Sequence, residues 1–214
     1  MIDLVHQINA THRELGTAGL SGGGAGRSLL LRRTYDAAVE DVWDACTDPA
    51  RLARWLAPVE GDLRLGGKYQ LQGNAGGEIL RCEAPSLLRV TWAMGEGMAT
   101  EVELRLNPAD GDRTLLELEH ASPGEIVDEL VRQYGPGMTI GIGEGWDLAL
   151  VGLSLHLAGA GYDPAAWQDV PELQTFAARS CEAWGAAVQS AWGTSDDDLA
   201  AAVAFAKGTL APRG

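Results

Sequence analysis

Cysteine is scarce in this chain. Its 214 residues contain three, Cys46, Cys82 and Cys181, far apart and with no Cys-x-x-Cys pair. An odd, scattered set argues against a disulfide framework or a zinc knuckle and suits a reducing compartment, so a cytoplasmic protein is expected. Histidine is equally thin. His6, His12, His120 and His156 are dispersed without a His-x-x-x-His pair, so neither a metal site nor a cofactor is expected. Basic charge is short as well: sixteen Lys and Arg face thirty Asp and Glu, a formal net charge of −14. Such a surface repels phosphate backbones and anionic headgroups, which argues against nucleic acid as a partner. No stretch reaches the ~20 apolar residues of a membrane span. The N-terminus lacks the basic and apolar regions of a signal peptide.

What is present reads as one domain with extensions, since 46% of the residues are apolar and a sizeable core can be buried. Residues 1–15 carry Leu4, Val5, Ile8 and Leu15 near helical spacing, and glycines 22–24 and 26 read as a flexible joint. Residues 1–27 are therefore expected to form an N-terminal arm and linker, either frayed or docked on a partner subunit. Residues 29–35 read as a strand. Val39, Val42, Trp43 and Cys46 follow at i, i+3, i+4, i+7, one apolar helical face. Asp48-Pro49 is an N-cap followed by proline at the first helical position.

Period-two alternation then marks strands. Tyr69 and Leu71, Leu88 through Met94, Val102 through Leu106, and Leu116 through His120 each put apolar residues on one face. Residues 77–92 read as strand, Pro-marked turn, strand, although the register between Ile79 and Glu83 allows either Leu80 with Cys82 or Ile79 with Arg81 to face inward. The set Glu101, Glu103, Arg105, Glu117 and Glu119 is expected to form cross-strand pairs on a wet face. Residues 121–143 read as a connection with one short helix. A long helix is predicted over 144–158, apolar nearly all round and so covered on both sides. Helices over 172–192 and 196–207 are expected to cover its outer side or to form a homodimer face.

Three motif-like stretches carry no chemistry. Gly152-Leu153-Ser154-Leu155-His156 has His where a nucleophile elbow needs Gly, and it sits in a helix. Residues 61–68 miss the phosphate-loop register. Residues 141–145 lack dinucleotide spacing and read as a loop-to-helix hinge.

Several groups together resemble one family: residues 33–43, Thr47-Asp48-Pro49 through Trp55, Gly77-Glu78-Ile79 through Thr91-Trp92, residues 116–120, and Gly145-Trp146 through Leu157. In order and spacing they resemble the activator-of-heat-shock-protein-90-ATPase homologue family, of the START-like, helix-grip (SRPBCC) superfamily, over about residues 28–158. The resemblance implies an α+β fold in which a curved antiparallel sheet grips a long helix around a hydrophobic cavity. Residues 159–214 are a helical C-terminal extension beyond it. Relatives include lipid carriers, hormone receptors, and polyketide cyclases and aromatases, and the family name points to chaperones and stress response.

The expected activity is binding of a small hydrophobic or amphipathic molecule, with Trp55, Tyr69, Leu71, Trp92, Leu118, His120, Trp146 and Leu150 as lining and no catalytic residues. Two alternatives are a cyclase- or aromatase-like enzyme, using His120, Tyr69 or an inward Arg81 or Glu83 to move protons, and a chaperone-cofactor or other protein-interaction role. Converging ionisable groups in the hollow would favour the first. A contiguous exposed apolar patch would favour the second.

Overall fold

The structure, a computed structural model, describes residues 3–95, 99–161, 163–164 and 166–208. Eight antiparallel strands make one curved sheet in the order β1-β2-β8-β7-β6-β5-β4-β3. The strands are β1 (Thr11–Gly19), β2 (Ala25–Tyr35), β3 (Val59–Gly61), β4 (Lys68–Leu71), β5 (Gly76–Glu83), β6 (Leu87–Trp92), β7 (Thr100–Ala109) and β8 (Arg113–Pro123). The helices are α1 (Leu4–Asn9), α2 (Val39–Thr47), α3 (Pro49–Leu52), α4 (Gly124–Tyr134), α5 (Gly137–Leu157), α6 (Pro171–Trp192) and α7 (Asp196–Gly208). This is the helix-grip architecture with a C-terminal helical extension.

Local signals explain most of these bounds. Asp48 caps α3, its carboxylate accepting from the Arg51 N–H at 2.9 Å, with Pro49 at the first helical position. Ser195 caps α7, its hydroxyl accepting from the Asp198 N–H, with three aspartates in the first turn against the helix dipole. Along β8 the alternate residues Thr114, Leu116, Leu118 and His120 are buried, giving the sheet its inner face.

The helical reading of residues 1–15 holds only to Asn9. Residues 11–19 instead pair with β2, Thr11 against Arg33 through Gly19 against Ala25; glycines 22–24 lie in the turn of this hairpin and Gly26 lies in β2. Its inward residues include Arg13, so the edge strand carries a cation into the interior. The tip of the hairpin also covers the sheet's outer face. The backbone N–H of Ser21 donates to Glu101 at 2.8 Å, and Arg89 donates to both the Gly19 carbonyl and Glu101. Glu101 and Glu103 are consequently buried in ion pairs with Arg89 and Arg105 rather than wet.

The ambiguous register of β5 resolves through a bulge. Ile79 opposes Val90 while Cys82 opposes Leu88, with the register shifting between Ile79 and Arg81. The extra residue puts both Ile79 and Cys82 on the inner face, a pattern that neither simple alternation produces.

α5 starts two turns earlier than its apolar stripe, at Gly137. The glycines at 141, 143 and 145 are therefore helix interior, not a hinge. Gly143 explains itself: a Cβ there would lie 2.4 Å from the Trp184 ring on α6. Trp184 has no exposed surface. Gly143→Ala is accordingly expected to destabilise the protein by about 1–3 kcal/mol through overpacking. Gly145→Ala, whose Cβ meets nothing within 4 Å, is expected to stabilise it by up to about 1 kcal/mol through helix propensity. Denaturant unfolding of the two variants reads the contrast.

α6 and α7 cover the side of α5 away from the sheet. Leu148 and Val151 pack with Leu173, Phe176 and Ala177, while Trp184, Val188, Ala202 and Ala206 join the main core. Among the described residues no helix is long and apolar enough to cross a membrane.

Candidate functional site

Between the inner face of the sheet and the helices lie three adjoining spaces. The first, about 250 Å³, lies under α2 and α3 against β3–β6. Trp43, Leu52, Val59, Leu63, Tyr69, Leu71, Ile79, Leu88 and Val90 line it, with Cys46 and Cys82. The second, about 510 Å³, opens where α5 leaves the sheet. Its walls are Trp92, Thr100, His120, Trp146, Asn74 and the Gly141, Gly145 and Ala149 face of α5, with Met94, Met138 and Ile142 also lining it. The third, about 90 Å³, lies deep between sheet and α5, among Trp55, Val102, Leu104, Leu118, Leu150 and Leu153. Leu56 and Trp92 line all three.

The eight residues singled out from sequence distribute over these spaces. Tyr69 and Leu71 line the first, His120 the second, and Trp55, Leu118 and Leu150 the third. Trp146 belongs to the second and third, and Trp92 to all. The centre of the grip is thus nearly filled by side chains, and the open volume lies to either side of it. Sequence reasoning missed Leu56, Cys82, Asn74, Thr100 and the apolar residues of the second opening. Cys82 was hidden by the bulge. Met138 and Gly141 fell in a stretch read as loop. Leu56 was legible as part of an apolar face, but nothing in that spacing marks a partition.

His120 sits in a directional chain of hydrogen bonds. The Trp146 indole N–H donates to His120 Nδ1 at 2.8 Å. An indole nitrogen only donates, so Nδ1 is the acceptor and the proton resides on Nε2. Nε2 lies 2.7 Å from Thr100 Oγ1, and that hydroxyl donates to the Trp92 carbonyl at 2.8 Å. Burial pushes the His120 pKa down to about 4, so the ring is neutral at physiological pH. The histidine is satisfied by side chains, not by a backbone carbonyl. The same chain fixes the two tryptophans, whose ring centroids are 4.9 Å apart and tilted by 50°.

The other polar linings are also engaged. Tyr69 Oη donates to the Thr91 carbonyl at 2.7 Å, and burial raises its pKa. Thr47 Oγ1 donates to the Trp43 carbonyl. Burial pushes the Cys46 thiol up to about 12. The notion of an inward Arg81 or Glu83 is overturned: both are exposed and pair with each other at 2.8 Å, because the bulge turns them outward. Asn74 is the exception. Its Oδ1 accepts from the Ala75 N–H, which fixes the orientation of the amide and leaves Nδ2 without a partner among the described residues.

A second polar cluster lies behind the cavity wall. Asp147, with no exposed surface, accepts from Arg13 Nε at 2.7 Å, from Trp184 Nε1 at 3.0 Å and from Ser180 Oγ. One carboxylate thereby ties β1, α5 and α6 together. Burial raises its pKa, and Arg13, Ser180 and Trp184 pull against that. Glu144, one turn earlier, is buried with Oε1 unpartnered, and burial together with Asp147 lifts it to about 8. Among the described residues, no group of three or more His, Cys, Asp or Glu side chains is placed to hold a metal ion.

The sequence profile of the family described as "Activator of Hsp90 ATPase homolog 1-like protein" matches residues 36–158. No curated protein matched. Among solved structures, CalU16 from Micromonospora echinospora is similar in both its crystal and solution forms. The crystal structure is 43% identical, with a TM-score of 0.68 over 84% of this chain and 98% of CalU16. The solution structure is 41% identical, with a TM-score of 0.70 over 85% and 96%. These shares exceed residues 36–158 alone, so CalU16 also resembles this chain outside the family profile. DynU16, from the dynemicin biosynthetic locus, is 23% identical with a TM-score of 0.52 over 64% of this chain and 50% of its own, a likeness of fold. The profile covers more than half of the chain and the fold agrees with it: the chain belongs to the Activator of Hsp90 ATPase homolog 1-like family of helix-grip, START-like proteins.

Proposed function

We propose that this protein binds a small hydrophobic or amphipathic molecule in the spaces between its sheet and helices. The observation that carries this reading is the character of the lining. Apolar side chains dominate it, and nearly every polar group on it is already hydrogen-bonded within the protein. Removing ligand surface from water there is worth roughly 25 cal/mol per Å², and few polar groups lose a water partner in the exchange.

The lining favours binding over proton chemistry. Three groups that titrate are held in their neutral forms: His120 by burial, and Tyr69 and Cys46 by the same cause with opposite sign. A cyclase-like reaction needs an acid or base poised near the working pH, and these three are driven away from it. The exposed Met94, Met138 and Ile142 line the second space itself. They fit an entrance for an apolar ligand better than a separate protein-docking patch. A cytoplasmic setting accords with the three free thiols.

The test is a thermal-shift and tryptophan-fluorescence screen against neutral apolar compounds. Trp43, Trp55, Trp92 and Trp146 all line the spaces, so a bound ligand is expected to change their emission. At a hundredfold excess over Kd the melting temperature should rise by about 5–10 °C. No response to any apolar compound would sink the reading.

A further inference from the structure

The hollow is divided, and its two large parts differ in chemistry. The chamber under α2 and α3 is walled mainly by branched aliphatic side chains on β3–β6. Its hydroxyl groups are taken: Tyr69 Oη and Thr47 Oγ1 each donate to a backbone carbonyl. The chamber at the N-terminal half of α5 is lined differently. Its lining includes the tilted pair Trp92 and Trp146 and helix backbone bared at Gly141 and Gly145, where a Cβ would meet nothing within 4 Å. It also holds Asn74 Nδ2, a donor without a partner among the described residues. The two chambers meet at Leu56 and Trp92, and the narrow central space adjoins both there.

We infer that the ligand is a neutral molecule in two parts, a flat ring system bearing a hydrogen-bond acceptor against Trp92 and Trp146, and an aliphatic tail passing Leu56 into the chamber under α2 and α3. This rests on the binding reading above and adds the ligand's class. Neutrality follows from the walls. Among the described residues lining both chambers there is no carboxylate, lysine or arginine, and His120 is uncharged, so a charged group would be buried without a counter-ion. The ring assignment follows from the aromatic pair and the bare helix face, which accept a planar body without side chains to displace. The acceptor assignment follows from Asn74, whose amide N–H groups have no partner among the described residues. The tail assignment follows from a chamber of mainly aliphatic walls whose hydroxyl groups are already engaged, so that it offers chiefly dispersion contacts.

The experiment uses two neutral fluorophores with one head group: prodan, a naphthyl ketone with a propionyl chain, and laurdan, the same head with a lauroyl chain. Both report apolar surroundings by a blue shift. The full chain should bind both, laurdan at least about tenfold more tightly because added methylenes are buried. Val59→Trp fills the tail chamber and should abolish that ratio while leaving the prodan Kd within about twofold. Leu63→Trp, at a half-exposed loop position on the same chamber, should do the same and serves if the strand variant does not fold. Gly145→Leu fills the ring chamber and should weaken both probes at least about tenfold. A laurdan advantage that survives both tail-chamber variants overturns the two-part ligand but leaves binding intact. So does binding of neither probe by a protein whose melting temperature responds to other apolar compounds. A protein that responds to no apolar compound overturns both readings.

Discussion

Asp147→Ala is expected to cost about 3–5 kcal/mol, the loss typical of removing one partner from a buried ion pair. The substitution leaves the Arg13 guanidinium, which has almost no exposed surface, facing an empty site, and it strips acceptors from Ser180 and Trp184 at once. A domain's whole stability is about 5–15 kcal/mol, so the variant should be near the edge of folding. Urea unfolding measures this directly. Arg13→Met combined with Asp147→Leu should recover part of the loss, since no unpaired charge then remains, and the cycle should show strong non-additivity. A loss below about 1 kcal/mol for the single variant would mean that the pair is solvated, and that the N-terminal strand and the C-terminal helices are not joined through it.

Glu144→Gln is expected to stabilise the protein increasingly as pH rises. Glu144 has a folded pKa of about 8, well above the carboxyl's ordinary value, through burial and the neighbouring Asp147. A raised folded pKa means that the folded state holds its proton more tightly than the unfolded state. The resulting stability is fully present below the unfolded pKa of roughly 4.3 and is lost progressively as pH climbs towards about 8. Across that window the shift corresponds to something on the order of 5 kcal/mol. The glutamine keeps the shape and has no proton to lose, so its melting temperature should equal or slightly trail the parent's at pH 5 and exceed it clearly at pH 9. Parallel melting profiles from pH 5 to pH 9 would refute the assignment.

Much of this architecture was legible in the residues. The alternation from Leu116 to His120, the proline and aspartate that start α3, and the serine with three aspartates that starts α7 are local signals, and local structure obeyed them. The failures have one physical root: a tertiary partner overrode the local pattern. Residues 11–15 look weakly helical alone but, with 16–19, complete a ladder with β2. The glycines of α5 look like loop until Trp184 and Phe205 are seen packed against Gly143 and Gly137. The cavity was half legible. Its aromatic walls stood on apolar faces, but alternation cannot say whether a face is packed solid or left hollow. The central residues Leu118 and Leu150 proved to border little space, while Asn74 and Met138, neither on a strand's apolar face nor on a recognised helix, border much of it.

Trp146 and Asp147 are consecutive on α5 and project from it about 100° apart. The first faces the ring chamber, and the second is moored to Arg13, Ser180 and Trp184. One wall of the vessel is therefore bolted from behind and cannot recede when something presses on it. The yielding side is the one away from α6, built from the four-residue helix α3, the edge strand β3 and the short strand β4 beside it. Any accommodation of a bulkier cargo falls to that thin flank, and sequence changes that retune what the protein carries should accumulate there.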